Sequence, residues 1–209
     1  MSDILTQRPR LLLATHNSAK LRELRSLFCA GEWELVSLEQ QGIELEVPEE
    51  GQTLEENAAA KAIAYAKVSG LISLADDSGL EVEALGGGPG PLSARYAGEG
   101  ASDMDKISRL LSELAGIPWE KRKARFRCVI AVASPSGRLE LCQGECQGVI
   151  TFEPRGKGGF GYDPVFFLPK LGRTMAELSL EEKNWVSHRG KAARKALEVL
   201  RRILNLRGP

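Results

Sequence analysis

Apolar residues along the chain fall alternately into short unbroken runs and longer periodic stretches. Arg10 to Ala14 is a run of leucines that predicts a buried strand, ending in the polar Thr15-His16-Asn17. Leu21, Leu24, Leu27 and Phe28 follow at helical spacing behind an N-cap at Asn17 or Ser18. Leu35 to Leu38 predicts a second strand. Thr53 and Glu56 have the spacing of a capping box, opening a helix that runs to Val68 and is closed by Gly70. Leu71 to Ala75 predicts a buried strand ending at Asp76-Asp77, and Glu81 to Ala84 a separate short one before the loop Gly86 to Pro91. Ser102 to Leu114 is amphipathic, with Met104, Ile107, Leu110, Leu111 and Leu114 on one face. Ala124 to Ala133 and Leu139 to Gln147 flank Ser134-Pro135-Ser136-Gly137 and predict a long hairpin. Val165 to Leu168 reads as another strand, and Ser187 to Leu206 as a basic amphipathic helix carrying Ala192, Ala196, Val199, Leu200, Ile203 and Leu204. The order predicts an α/β fold: one domain over residues 1–209, an elongated mixed central sheet flanked by helices, and two lobes with the active-site cleft between them.

Charge narrows the partners. Twenty-eight basic residues balance twenty-eight acidic ones, so no global field favours a nucleic acid or an anionic membrane. The basic run Lys121 to Arg127 alternates, placing Ala124, Phe126 and Cys128 on one face and Arg125 and Arg127 on the other. That is a solvated strand face rather than a nucleic-acid patch. No apolar run approaches the ~20 residues of a membrane span, and Met1 to Pro9 has no signal-peptide core. Cys29, Cys128, Cys142 and Cys146 lack CxxC spacing and read as reduced, interior or half-buried thiols. The expected location is cytoplasmic.

Four polar clusters stand out against this background. Asp76-Asp77 sets two like charges side by side, which is costly without a cation or donors between them; Mg²⁺ offsets such a cost and bridges to phosphate. The alternative is a capped strand end. Glu49-Glu50 lies among further glutamates and supplies candidate acids for the same ion. Thr15, His16, Asn17, Ser18, Ala19 and Lys20 are not a Walker loop, but they place hydroxyl, amide and N–H groups at a helix start, with Lys20 able to reach back to a phosphate. Arg155 to Pro164 has four glycines around Phe160, Tyr162 and Asp163. Such a loop suits close backbone approach, with a base stacked on Phe160 (worth ~1–3 kcal/mol) and met by Asp163. Lys183 with Ser187-His188-Arg189 is donor-rich, as a reader of a 6-oxo purine needs.

With these clusters in order from Leu11 to Leu200, the chain resembles the inosine triphosphate pyrophosphatase family of Mg²⁺-dependent dITP/XTP pyrophosphatases. The motifs include Thr15-x-Asn17-x-x-Lys20, Gly51-Gln52-Thr53 with Glu56-Asn57-Ala58, and Ala75-Asp76-Asp77-Ser78-Gly79-Leu80. Further on come Ser93-Ala94-Arg95-Tyr96, Gly158 to Pro164, Glu182-Lys183 and Ser187-His188-Arg189. The resemblance implies that Asp77 is general base and metal-linked acid, with Ser78 beside it on the substrate and Lys20 assisting. Glu49 is the implied second metal ligand, although Pro48-Glu49-Glu50-Gly51 departs from the usual Glu-Glu-Thr-Gly and leaves Glu50 open. Thr15 to Lys20 and Lys61 would hold phosphates and sugar. Phe160, Gly161, Tyr162 and Asp163 would hold the base, and Lys183, His188 and Arg189 its edge and a nearby phosphate. Leu54 stands where the family more often has Phe. A homodimer acting on a purine nucleoside triphosphate, without nucleic-acid or membrane partners, is the implied form.

Overall fold

A computed structural model describes residues 8–205. Its centre is β1 (Arg10–Leu13), whose three leucines are fully buried because both faces of the sheet are covered here. α1 (Ser18–Phe28) leads to β2 (Glu34–Ser37), parallel to β1 on one side. α2 (Leu54–Ser69) leads to β3 (Ile72–Val82), parallel to β1 on the other. β4 (Pro89–Gly90) pairs with the far end of β3. After α3 (Asp103–Glu113), the hairpin of β5 (Lys123–Ala133) and β6 (Leu139–Ile150) joins the sheet antiparallel to β3. β7 (Phe166–Leu168) and β8 (Arg173–Thr174) complete the order β2-β1-β3-β5-β6-β7-β8. The chain closes with α4 (Leu180–Val186), absent from the sequence reading, and α5 (His188–Ile203). The expected extension of α5 to Leu206, and the segment before Arg8, lie outside the described residues.

Capping sets the helix starts. Asn17 caps α1, accepting from the N–H groups of Ala19 and Lys20. Thr53 and Glu56 form the expected capping box, and Gly70 closes α2 in the left-handed conformation at φ 68°. α1 and α5 cover one face of the sheet, where Leu11, Leu13, Ile130, Ala192, Ala196 and Leu200 pack with Phe28. α2 covers the other face, its Ala58, Ala62 and Ala66 against Leu12, Ala75, Val129 and Ala131. A third core, around Ile107, Leu110, Phe126, Ile150 and Phe166, fills the space under α3. Met104, expected on that inner face, is 55% exposed, because it lies one turn before the apolar stripe meets the core.

Two sequence expectations are corrected by β3. Asp76-Asp77 does not end a strand, and Glu81 to Ala84 is not a separate one: Ile72–Val82 is continuous, and Glu83–Leu85 is a 3-10 turn. The reason is unequal strand length. β1 stops at Leu13, opposite Leu74, while β3 runs on against β5, with Asp76 opposite Ile130 and Asp77 opposite Val129. Asp76 to Gly79 therefore lie inside a strand and also past the carboxyl end of its parallel neighbour, where ligands of α/β sheets bind.

β6 has a free edge. Among the described residues it meets β7 only through Val149 and Ile150, so its earlier part has no outer neighbour. Lys191 and Lys195 of α5 donate to the carbonyls of Glu145 and Gln143 along it, at 2.8 and 2.7 Å. α5 lies close here because Gly144 has no side chain: a Cβ would collide with the His188 carbonyl and the Ala192 amide. No described helix is long and apolar enough to cross a membrane. All four cysteines are unpaired, and Cys29, expected to be interior or half-buried, is exposed at the C-terminal end of α1.

Candidate active site

A cavity of about 540 Å³ opens where β3 outruns β1, a size suited to a small-molecule ligand. Thr15, His16, Asn17, Ala19 and Lys20 line it from the β1–α1 loop, and Ser18 is not part of the lining. Glu49 lines it and Glu50 does not. Lys61, Asp77, Ser78, Phe160, Gly161, Tyr162, Asp163, Lys183, His188 and Arg189 form the remaining expected wall.

Strand alternation separates the two aspartates. Asp77 turns toward α2, where Asn57 donates to its Oδ2 at 3.1 Å and Lys61 lies 3.7 Å from Oδ1. Lys61 also pairs with Glu49 at 2.5 Å and donates to the Asp76 carbonyl at 2.8 Å. Burial raises the Asp77 carboxyl above its usual range, and Lys61 and Lys20 offset this only in part. Burial acts in the same direction on Glu49, but Lys61 and Lys20 outweigh it and hold that carboxyl low. The two side chains therefore present to the same space one carboxyl held low and one raised. Hard carboxylate oxygens on either side of a lysine fit a divalent cation of the magnesium kind, which takes one or two carboxylates and fills its shell with water and phosphate. No cage of three or more His, Cys, Asp or Glu exists among the described residues; substrate and water would supply the remaining oxygens.

Asp76 turns the other way, into an alternating chain of buried charges. Lys20 lies 3.3 Å from Asp76 Oδ2. Arg189 donates to that oxygen through Nε and Nη2 at 3.1 and 2.9 Å. Arg189 Nη1 then reaches Glu23 at 2.6 Å, and the other Glu23 oxygen takes Lys183 at 2.6 Å. Lys183 ends on Asp163. Three cations and three carboxylates thus alternate from Lys20 to the glycine loop. Burial opposes the Asp76 and Glu23 charges, but the cations more than compensate, and both carboxyls titrate below their usual values. Asp163 is deeper relative to its help: burial pushes it up despite Lys183 and the Phe160 N–H.

Two expected roles are narrowed. Asp163 Oδ2 takes the Phe160 N–H at 2.8 Å as well as Lys183, which leaves Oδ1 as the oxygen that could accept from a base. Tyr162 is core, with its hydroxyl donating to the Ser93 carbonyl at 2.9 Å. The loop therefore presents the Phe160 ring, with Lys183 Nζ 4.8 Å and the Arg189 guanidinium 5.4 Å from its centre. Gly159 and Gly161 are required at φ 69° and 61°. Arg189 is 1% exposed and held by Asp76, Glu23 and Ser78. His188 stacks on Phe126 at 4.6 Å, and its Nδ1 has no partner. Burial, with Arg189 and Lys183 adding to it, drives its pKa well below 6.5, so the ring is neutral and offers one donor and one acceptor. At the β1–α1 loop the N–H groups of Asn17, Ala19 and Lys20 already serve Thr15 and Asn17 side chains. Lys20, paired with Asp76 at 3.3 Å, is the cation beside this loop.

Four participants were given no role from the sequence, although Asn57 and Arg95 lie within motifs of the resemblance. Glu23 lies one turn after Lys20 and next to Leu24, and Asn57 one turn before Lys61 on the alanine face of α2. A polar residue at inner-face spacing was the available signal in both cases. Arg95, which donates to the Glu49 carbonyl at 2.5 Å, and Asp103, which accepts from the Gly161 N–H at 2.6 Å, gave no such signal.

A chamber with carboxylates and lysines at one end and a cation-backed aromatic at the other belongs to an enzyme that handles a nucleotide through its phosphates. Comparison with known proteins gives the family. The Ham1 family model matches residues 11–199, and the chain belongs to that family. It is 50% identical over 194 residues to the dITP/XTP pyrophosphatase of Desulforamulus reducens, covering 93% of this chain and 96% of that one. It is 46% identical over 189 residues to the enzyme of the same name from Bacillus subtilis, covering 90% and 96%. Among solved structures, the HAM1 protein of Coxiella burnetii superposes with a TM-score of 0.83 at 42% identity, covering 92% of this chain and 98% of that one. The nucleoside-triphosphatase / dITP/XTP pyrophosphatase of Mycobacterium abscessus gives 0.72 at 44% identity, with 90% and 98% covered.

Proposed function

We propose that this protein hydrolyses non-standard purine nucleoside triphosphates (ITP, dITP and XTP) to the monophosphate and pyrophosphate, clearing them from the nucleotide pool. The observation that supports it most is the placement, in one cavity, of Asp77, Glu49, Lys20 and Lys61 at one end and Phe160 under Lys183 and Arg189 at the other. The names of the relatives point the same way.

In this reading the base stacks on Phe160, and His188 and Arg189 meet its edge. Donors set for a 6-oxo group are left unpaired by a 6-amino group, which is how such a site rejects ATP. Lys20 and Lys61 draw the triphosphate toward Asp77. Glu49 and Asp77 would hold a divalent cation such as Mg²⁺, which would supply neutralising charge for the phosphates and the leaving pyrophosphate. Asp77 orients a water and takes its proton as the oxygen attacks phosphorus. We also propose that the working form is a homodimer, to be checked by sedimentation.

The test is steady-state hydrolysis of ITP, XTP, dITP, GTP and ATP, with pyrophosphate and orthophosphate measured separately. Pyrophosphate from the first three and little from the last two is the expected result. Saturable binding without turnover would make the protein a nucleotide sensor instead.

A further inference from the structure

Asn57 is 2% exposed and touches two separate parts of the site. Its Oδ1 accepts the Gly51 N–H at 2.8 Å, and its Nδ2 donates to Asp77 Oδ2 at 3.1 Å. The Gly51 N–H fixes which way the amide faces, since only an oxygen can accept it. The NH₂ group is thereby committed to the carboxylate. Approach is this close because position 51 is glycine: a Cβ there would lie 2.6 Å from Asn57 Oδ1. One helical turn later, Lys61 repeats the grip, with Glu49 on one side and Asp77 on the other. Two side chains of α2 thus each bridge the 49–51 segment to β3.

We infer that Asn57 is a positioning residue for the hydrolytic step: it sets the orientation of Asp77 and locks the backbone of the Glu49 segment to it. The inference rests on the functional reading above. Lys61 alone cannot fix the geometry, because a flexible ammonium supplies charge without direction, whereas the planar amide supplies both a donor and an acceptor at set angles. Asn57 touches neither end of the predicted substrate, so its effect belongs in turnover rather than in binding.

The experiment compares Asn57→Asp and Asn57→Ala in the full chain. Asp keeps the acceptor for Gly51 and loses the donor to Asp77; Ala loses both. Both variants should lower kcat on dITP at least 30-fold while KM stays within threefold and the unfolding midpoint stays near that of the wild type. Amide hydrogen exchange separates the two bridges. The Gly51 N–H should exchange at least tenfold faster in Asn57→Ala and near the wild-type rate in Asn57→Asp. A kcat within threefold of wild type in both variants overturns the inference, as does a loss of kcat that tracks a matching rise in KM and fall in midpoint. If the wild type turns over none of the non-standard triphosphates, the functional reading fails. The exchange arm then still decides the clamp: an unchanged Gly51 rate in Asn57→Ala overturns it.

Discussion

Glu23 and Arg189 lie 166 positions apart and meet at 2.6 Å, both buried, joining the first helix to the last. Glu23 is the carboxylate that keeps Arg189 and Lys183, two cations near the Phe160 ring, from repelling each other. Glu23→Ala should cost about 3–5 kcal/mol of stability, as removal of one partner from a buried pair does. Urea unfolding measures it; a loss under about 1 kcal/mol would mean that Asp76 and Asp163 already suffice.

Asp77→Asn should lower kcat by about 10²–10⁴, the span of general-base catalysis. Its fold should be unharmed, since burial already works against the Asp77 charge. Near-normal turnover at an unchanged melting temperature would remove Asp77 from the base role.

Phe160→Ala takes away the flat surface of the glycine loop. With stacking worth about 1–3 kcal/mol, KM for ITP should rise about 5- to 150-fold with kcat much less affected, and Phe160→Trp should restore most of the loss. Equal KM values for the wild type and the alanine variant would place the base elsewhere.

Acid should unfold the protein through the buried chain of charges. Glu23 and Asp76 titrate below their usual 4.5 and 3.8. The stability they contribute is complete above about pH 4.5 and is lost as pH falls through their folded values. Asp163 is raised, so its contribution has the opposite sign, falling as pH rises past 3.8. With Glu49 also lowered and Asp77 also raised, three lowered carboxyls against two raised ones predict a melting temperature that drops below pH 4.5. Glu23→Gln should flatten that limb; calorimetry across pH 3 to 6 would show an unchanged slope if Glu23 has no part in it.

Gly144→Ala should push α5 off β6, because the added methyl meets backbone rather than a yielding side chain. About 1–3 kcal/mol of stability should be lost, as in other overpacked cores. His188 moves with the helix, so kcat/KM should fall as well. Activity retained at lowered stability would show that the helix start adjusts independently of the site.

What the sequence made legible was local and periodic: the buried leucines of β1, the Thr53–Glu56 box, and the β5–β6 hairpin. The clusters at Lys20, Asp77, Phe160 and His188 could be collected into one site because each broke its local pattern. β3 was cut short for the same reason. Asp, Ser and Gly are poor strand formers, and only pairing with β5 over Ser73 to Val82 holds them extended. Glu23 stayed hidden because a single glutamate on a helix normally faces water; its burial depends on Lys183 and Arg189, which arrive from the other end of the chain. The inward turn of Asp163 is held by the Phe160 N–H and by Lys183, and the second of these arrives from outside the glycine loop.

The lysines over the outer edge of β6 bear on how molecules of this protein meet one another. An unpaired strand is a template on which another chain can add its own strand, the first step toward sheet-extended aggregates. At Gln143 and Glu145 that template is already read, by Lys195 and Lys191 of the same chain. An incoming strand finds ammonium groups where it needs free carbonyls. The helix that carries His188 and Arg189 into the active site thus also keeps the longest strand of the sheet from recruiting its neighbours.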